Sequence, residues 1–248
     1  MIIFALSDPH LAHAVDKPMD IFSSKWADHP DRLFDAWRRV VTPDDLVLLP
    51  GDISWGTKMH EARPDLEALD ALPGFKLVTK GNHDYWWPSG KRDFVLPGLG
   101  SMRFVHGRAF RFGPVSIAAT RGWKLPGDPW FEPSDQKIHD KEVRFLGQAL
   151  AALGDASVRL CMLHYPPFND PKESSAFVQL LEAHGIQDVV YGHLHGPGAL
   201  RTAVTGLHEG IRYHFIACDS VDFTPVPIVQ VEGTWDLQQA AVAFVVTD

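Results

Sequence analysis

The sequence predicts an α/β protein with a functional site gathered at the carboxyl ends of its strands. Three observations lead there. Short apolar runs alternate with helix-period segments in both halves of the chain, the pattern of parallel strands joined by helical crossovers. Shorter β-like runs separated by glycines fill the middle, from Ser101 to Thr120. Five predicted strands end directly in Asp, Asn or His, and open α/β sheets bind ligands along that edge. The 248 residues are 45% hydrophobic and include 8 Trp and 15 Phe, enough for a sizeable core. An α/β sheet of this size is commonly one unit, so a single domain is expected over residues 1–248.

In chain order, the apolar run 2–6 reads as a strand closed by Asp8-Pro9-His10, and a polar loop without a clear period follows from Ala12 to Asp28. A helix is expected from Asp28 or His29, because Pro30 suits a first turn and Leu33, Phe34, Trp37, Val40 and Val41 recur at helical spacing. Residues 46–49 are continuously apolar, as in the buried strands of parallel sheets. Gly51-Asp52 closes that strand. A helix over 58–71 should be interrupted or reset at Pro64, with Leu66, Leu69 and Leu72 facing inward. The strand 75–78 then runs into Gly81-Asn82-His83-Asp84.

The runs 102–105, 109–112 and 115–119 predict antiparallel hairpins, and 121–133 an irregular loop rich in Pro, Gly and Trp. Ser134 is placed to cap a long helix over 134–153, whose apolar stripe is Ile138, Phe145, Leu146, Ala149, Leu150 and Leu153. Parallel alternation resumes with a strand at 158–163, a helix at 174–184 and a strand at 188–191. Further β-like segments lie near 212–217 and 226–231, where Pro225 and Pro227 mark an edge or a turn.

Composition excludes several functions. A net charge of -8 argues against nonspecific binding to long duplex nucleic acid or to anionic membrane, since both are polyanions. The N-terminus enters a strand at once, with no basic leader or long apolar span, unlike a signal peptide or membrane helix. The two cysteines, Cys161 and Cys218, lie in apolar runs and read as buried free thiols. A soluble protein of a reducing compartment, the cytoplasm, is expected.

The strand-end residues form one set: Asp8, His10, Asp52, Asn82, His83, His164, His193 and His195. Imidazole, carboxylate and amide oxygen suit borderline divalent ions such as Mn, Fe, Zn, Ni or Co. Asp8-x-His10 and His193-x-His195 are tight pairs whose two side chains can reach one centre. Eight groups exceed the needs of one tetrahedral ion. Two ions need a shared ligand, and a carboxylate can supply one oxygen to each. Ions so paired sit about 3.5–4 Å apart, activate a water and clamp a phosphate under attack.

In order and spacing these motifs resemble the calcineurin-like metallophosphoesterases, whose series is D-x-H, GD, GNH(D/E), a lone H and GHxH. Here they read Asp8-Pro9-His10, Gly51-Asp52, Gly81-Asn82-His83-Asp84, His164 and Gly192-His193-Leu194-His195, with none missing. Gly51–Trp55 and Gly81–Trp87 are similar to the GDISW and GNHDYWW stretches of compact bacterial phosphohydrolases. The resemblance implies a four-layer α/β/β/α sandwich of two mixed sheets flanked by helices. It implies Asp8, His10 and His195 on a first divalent ion, Asn82, His164 and His193 on a second, and Asp52 bridging both. It further implies hydrolysis of a small phosphorylated substrate, a diester or monoester, by a metal-bridging hydroxide. His83 matches the histidine that contacts the phosphate and acts as general acid; Asp84 would orient its neighbours through hydrogen bonds.

Other residues are open to two readings. Arg121 could pair with a phosphate or be a solvated loop arginine. Trp86, Trp87 and Trp123 are expected to pack rather than to stack on substrate, and Tyr165 to border the cleft. The loop 121–133 is the candidate specificity element. The eight remaining histidines, and Asp170 and Asp219, fit no motif. The alternative function is a non-catalytic binding or scaffold protein on the same fold. Such relatives lack ligands or the acid histidine, whereas all eight groups are present here. A mononuclear or storage site would leave His83 without a task.

Overall fold

The computed structural model describes residues 1–243, and residues 244–248 of the expected domain lie outside the described part. The first sheet is built by β1 (Ile2–Ala5), β2 (Leu46–Leu49), β3 (Phe75–Val78), β4 (Asp93–Phe94), β5 (Met102–Val105) and β12 (Val226–Gln230). Its order is β12-β1-β2-β3-β5-β4. The second is built by β6 (Arg108–Phe112), β7 (Val115–Thr120), β8 (Val158–Leu163), β9 (Asp188–Tyr191), β10 (Gly206–His208), β11 (Ile211–Phe215) and β13 (Ala241–Ala243). Its order is β10-β11-β9-β8-β7-β6-β13. Both sheets are mixed.

Side-chain alternation makes the layers. Along β1, Phe4 points to a core shared with Leu33 and Trp37 of α1 (His29–Val40) and with Leu66 and Leu69 of α2 (Met59–Asp70). Ile3 and Ala5 point the other way, into a core between the sheets. In β8, Leu160 and Met162 join that central core, while Cys161 and Leu163 face α3 (Gln136–Ala151) and α4 (Ala176–Ala183). Strands buried on both faces need apolar residues at successive positions, which explains their continuous runs. The result is the expected sandwich of helices, two sheets and helices. Cys161 and Cys218 are buried free thiols.

Several local expectations are corrected. Helix α2 runs through Pro64 without a break. A proline in a helix interior costs about 3 kcal/mol; burial of Ala62, Leu66 and Leu69 offsets it. Ser134 does not cap α3; its hydroxyl contacts Glu132 instead. The helix starts two residues later, and Asp135 accepts hydrogen bonds from Glu132 N, Trp123 Nε1 and Lys124 Nζ. Only β6 and β7 form the expected hairpin. Strand β5 instead pairs parallel with β3, so the chain changes sheet at Gly107. Strands β4, β10 and β13 are too short or too polar to read from sequence. Pro227 sits on the edge strand β12 at a register shift opposite Phe4, where no ladder N–H is required.

Lys76 is fully buried on β3, under the C-terminal end of α2. Its ammonium donates to the carbonyls of Leu72 and Asp70 and to Ser101 Oγ, capping groups a helix end leaves open. Burial, opposed by Asp70, pushes its pKa down to about 8. Between pH 8 and about 10.5 the unfolded chain therefore holds this proton and the folded chain does not, so this contribution to stability rises with pH. Urea titrations should show the wild type gaining about 2–3 kcal/mol on Lys76→Met across that window. A pH-independent difference would contradict it.

Candidate metal centre

Every motif residue follows a strand end, and four of them have a left-handed backbone: Asp8 (φ 59°), His10 (46°), Asp52 (52°) and His193 (73°). Non-glycine residues avoid this region, and such strain concentrates at functional sites. The turns also need close backbone approach. A Cβ at Gly81 would overlap Asp52 Oδ1, and one at Gly192 would overlap Asp8 Oδ2. Ser7 N donates to Ile216 O, and Cys218 N to Ser7 O, which ties the end of the first sheet to the second. The carboxyl ends of β1, β2 and β3 thereby meet those of β8 and β9.

Two candidate metal-binding triplets result. Asp8, His10 and His195 form one, and Asp52, His164 and His193 the other, each with donor atoms within 4.8 Å of one another. Between them lies Asp52 Oδ2, 3.8 Å from His10 Nε2 and 3.5 Å from His164 Nε2. Asn82 Oδ1 is 2.7 Å from His164 Nε2. Asn82 thus stands beside the Asp52, His164 and His193 group.

The protonation pattern fits cations. His164 Nδ1 donates to Pro50 O at 3.0 Å, so a neutral ring turns the Nε2 lone pair toward Asn82 Oδ1, itself an acceptor. His10 Nε2 and His195 Nε2 face each other at 3.3 Å. Burial, helped by neighbouring histidines, holds His10 and His193 well below the usual imidazole value; burial does the same to His164, against its bond to Pro50. Burial, opposed by His195 and reinforced by Asp52, pushes the Asp8 carboxyl up to about 7. Asp8 Oδ1 is buried with no hydrogen-bond donor among the described residues, 3.6 Å from His164 Nδ1 and 3.9 Å from His195 Nε2. Three imidazoles held neutral, His10, His164 and His193, beside a buried Asp8 oxygen without a donor make a set that divalent ions complete.

Asp84 acts as expected. Its carboxylate accepts from Gly81 N, Asp52 N, Ile53 N and Trp86 Nε1 at 2.7–3.0 Å, locking two of the turns together. His83 joins neither triplet. Its N–H donates to Asp52 Oδ1 at 2.8 Å, while its ring lines a cleft of about 550 Å³ together with His10, Asp52, His193 and His195.

Other expectations change. Arg121 does not line the cleft: its guanidinium pairs with Glu142 at 3.2 Å and lies 4.3 Å from the Trp123 ring. Glu142 also accepts from His106 and Thr120; burial works against its charge, yet these partners hold its pKa down to about 2. Trp86 and Trp87 are core residues. Tyr165 lies against His193, ring centres 4.0 Å apart. It borders a smaller cavity of about 340 Å³, which Trp123, Lys124, Leu125, Asp128 and Trp130 of the loop 121–133 also line. The wall of the main cleft comes instead from residues 19–26.

Sequence reasoning left Asp219 unassigned. It accepts from His195 Nδ1 at 2.8 Å and from Gly196 N at 2.9 Å. Burial opposes a charge on His195, but Asp219, Asp8 and Asp52 raise its pKa. The Asp219 contact keeps the proton on Nδ1 and turns Nε2 to the centre, the arrangement of a metal-bound histidine. Its signal, an Asp 24 residues beyond His195, has no fixed spacing to recognise. Asp219→Asn should weaken metal affinity about 10–100-fold; competition against a chelating dye would measure it, and unchanged affinity would count against the role.

The chain is similar to known proteins in family and in fold. The family model for calcineurin-like phosphoesterase matches residues 1–197. The gene 66 protein of Mycobacterium phage L5 is 27% identical over 207 residues, 83% of this chain and 84% of that protein. A protein of unknown function from Aquifex aeolicus has a solved structure with TM-score 0.51 and 15% identity, covering 91% of this chain and 94% of that one. The phosphopantetheinyl hydrolase of Mycobacterium tuberculosis has TM-score 0.52 and 16% identity, covering 87% and 88%. At such identities the two structures speak for the fold. With the family match spanning every motif from Asp8 to His195, the chain belongs to the calcineurin-like phosphoesterases.

Proposed function

We propose that the chain is a dinuclear metal-dependent phosphoesterase acting on a small phosphorylated substrate, a diester or monoester. The observation that carries this reading is the pair of triplets facing one another across Asp52. Asp8, His10 and His195 would hold one ion, Asn82, His164 and His193 the other, and Asp52 would serve both. Mn, Fe, Zn, Ni and Co all suit these donors. When bound, such ions supply a nucleophilic water at neutral pH and offset charge on the phosphoryl oxygens.

The protein's own part is placement and proton transfer. Asp84 fixes the Asp52 and Gly81 turns, and Asp219 sets the His195 tautomer. His83, on the cleft wall beside the ligands, is the group positioned to protonate the departing alcohol. Asn82 and His83 are the proposed phosphate contacts. Arg121 would reach substrate only by leaving Glu142, so Arg121→Ala should affect kinetics less than His83→Ala. Among the described residues no helix is long and apolar enough to cross a membrane. The buried free thiols support placement in a reducing compartment, the cytoplasm.

Elemental analysis of protein reconstituted with Mn, alongside hydrolysis of bis(p-nitrophenyl) phosphate and p-nitrophenyl phosphate, tests this. The expectation is two ions per chain and turnover that chelation removes. One ion per chain, or no turnover of either ester, would reject the dinuclear phosphoesterase.

A further inference from the structure

The cleft over the metal ligands has an apolar wall that phosphate chemistry does not need. Met19, Phe22, Trp26, Trp55 and Leu200 line the cleft together with the candidate ligands. Trp55 stacks on His10, with ring centres 4.8 Å apart and planes at 18°, and lies 4.5 Å from the His83 ring. Trp26 meets His10 and His195 in T-shaped contacts, with ring centres 6.0 Å and 5.5 Å apart. Large indole surfaces thus reach the reacting centre itself.

The wall is anchored. Trp26 packs on His29 and Phe223, and His29 is bound to both Trp26 O and Pro9 O. Trp55 Nε1 contacts Met19 Sδ at 3.2 Å, and Arg32 holds Lys25 O. At the mouth, however, Phe22 is 70% exposed and Leu200 63% exposed, facing water from two separate elements. Lys25 is the single lysine or arginine among the described residues that line the cleft. Away from the candidate ligands, His83 and Asp219, the polar side chains of the lining are Ser23, Lys25 and Ser220, whereas a flat apolar group would cover Phe22, Trp26 and Leu200.

We propose that the ester group this cleft takes is apolar and flat, an aryl or fused-ring alcohol, and that Phe22, Trp26 and Leu200 select it. The proposal rests on the phosphoesterase reading above and adds the substrate class. Because His83 lines the same cleft, the group seated against this wall is the one that departs.

The test compares wild type with a Phe22→Ser/Leu200→Ser double variant, both loaded with Mn. Both side chains are solvent-facing, so the substitutions leave the core and the metal ligands untouched. Substrates are 2-naphthyl phosphate and its methyl diester, each against the matching glycerol ester; variant-to-wild-type ratios cancel intrinsic leaving-group reactivity. The expected result is a KM roughly tenfold higher for the naphthyl ester, with kcat within about twofold and the glycerol ester unaffected. Equal changes for both esters, or none for either, would overturn the selection. If wild type hydrolyses no ester, the phosphoesterase reading fails, and calorimetry with 2-naphthylphosphonate and methylphosphonate reads the cleft directly. A naphthyl preference lost in the variant would then support the cleft assignment, and no preference in wild type would reject it.

Discussion

Asp52→Asn should lower phosphoester turnover by on the order of 10³-fold or more, a barrier increase of about 4 kcal/mol. The residue closes β2 in a left-handed conformation and is 2% exposed. One oxygen, Oδ1, accepts from His83 N; the other, Oδ2, looks toward both His10 and His164. Asparagine has nearly the same shape and can keep the bond to His83 N. It then turns an NH₂ group toward both ligand sets, where two cations would share an oxygen. Metal content should therefore fall from two ions per chain to one or none as activity disappears. The fold should persist, because removing one of three clustered carboxylates, Asp8, Asp52 and Asp84, relieves repulsion rather than opening a cavity. Full activity with one ion per chain would eliminate the shared carboxylate.

His83→Ala should separate proton transfer from metal binding. The ring stands on the cleft wall and belongs to neither triplet, and its backbone N–H to Asp52 survives the substitution. Two ions per chain should be retained. Loss of a general acid costs about 10²–10⁴-fold, and the cost should depend on the departing group. An alkoxide needs the proton and should show the full loss. A p-nitrophenolate leaves without it and should react at close to the wild-type rate. A uniform loss across both would assign His83 to phosphate positioning, and loss of a metal ion would make it a ligand.

The residues of the candidate centre were legible because they are written locally. Asp8, Asp52, Asn82, His164 and His193 each follow a short apolar run, and a buried parallel strand has to end where polar residues begin. Pro30 in the first turn of α1 and Leu146, Ala149 and Leu150 of α3 are local signals of the same kind, whereas Ile138 and Phe145 of the expected stripe are half-buried and His139 and Glu142 are buried instead. Where local signals competed, packing decided. The face of α2 that carries Leu66 and Leu69 overrode Pro64, and α3 starts at Gln136 with the Asp135 carboxylate engaged by Trp123 and Lys124.

The environment of the ligands was not written locally. Nothing adjacent to Met19, Phe22 or Trp26 ties them to a metal centre, although so many apolar side chains in a polar loop have little use unless they meet something. Arg121 looked free as a string and is committed to Glu142 in space. Asp219 becomes a partner of His195 because β11 runs beside β9 and delivers the following turn to the same edge. Periodicity and turn chemistry act over a few residues, so the sequence alone determined which side chains stand at the strand ends. Contact between Asp8 and His193, 185 residues apart, depends on how two sheets pack, and only the tertiary structure decided what surrounds the centre.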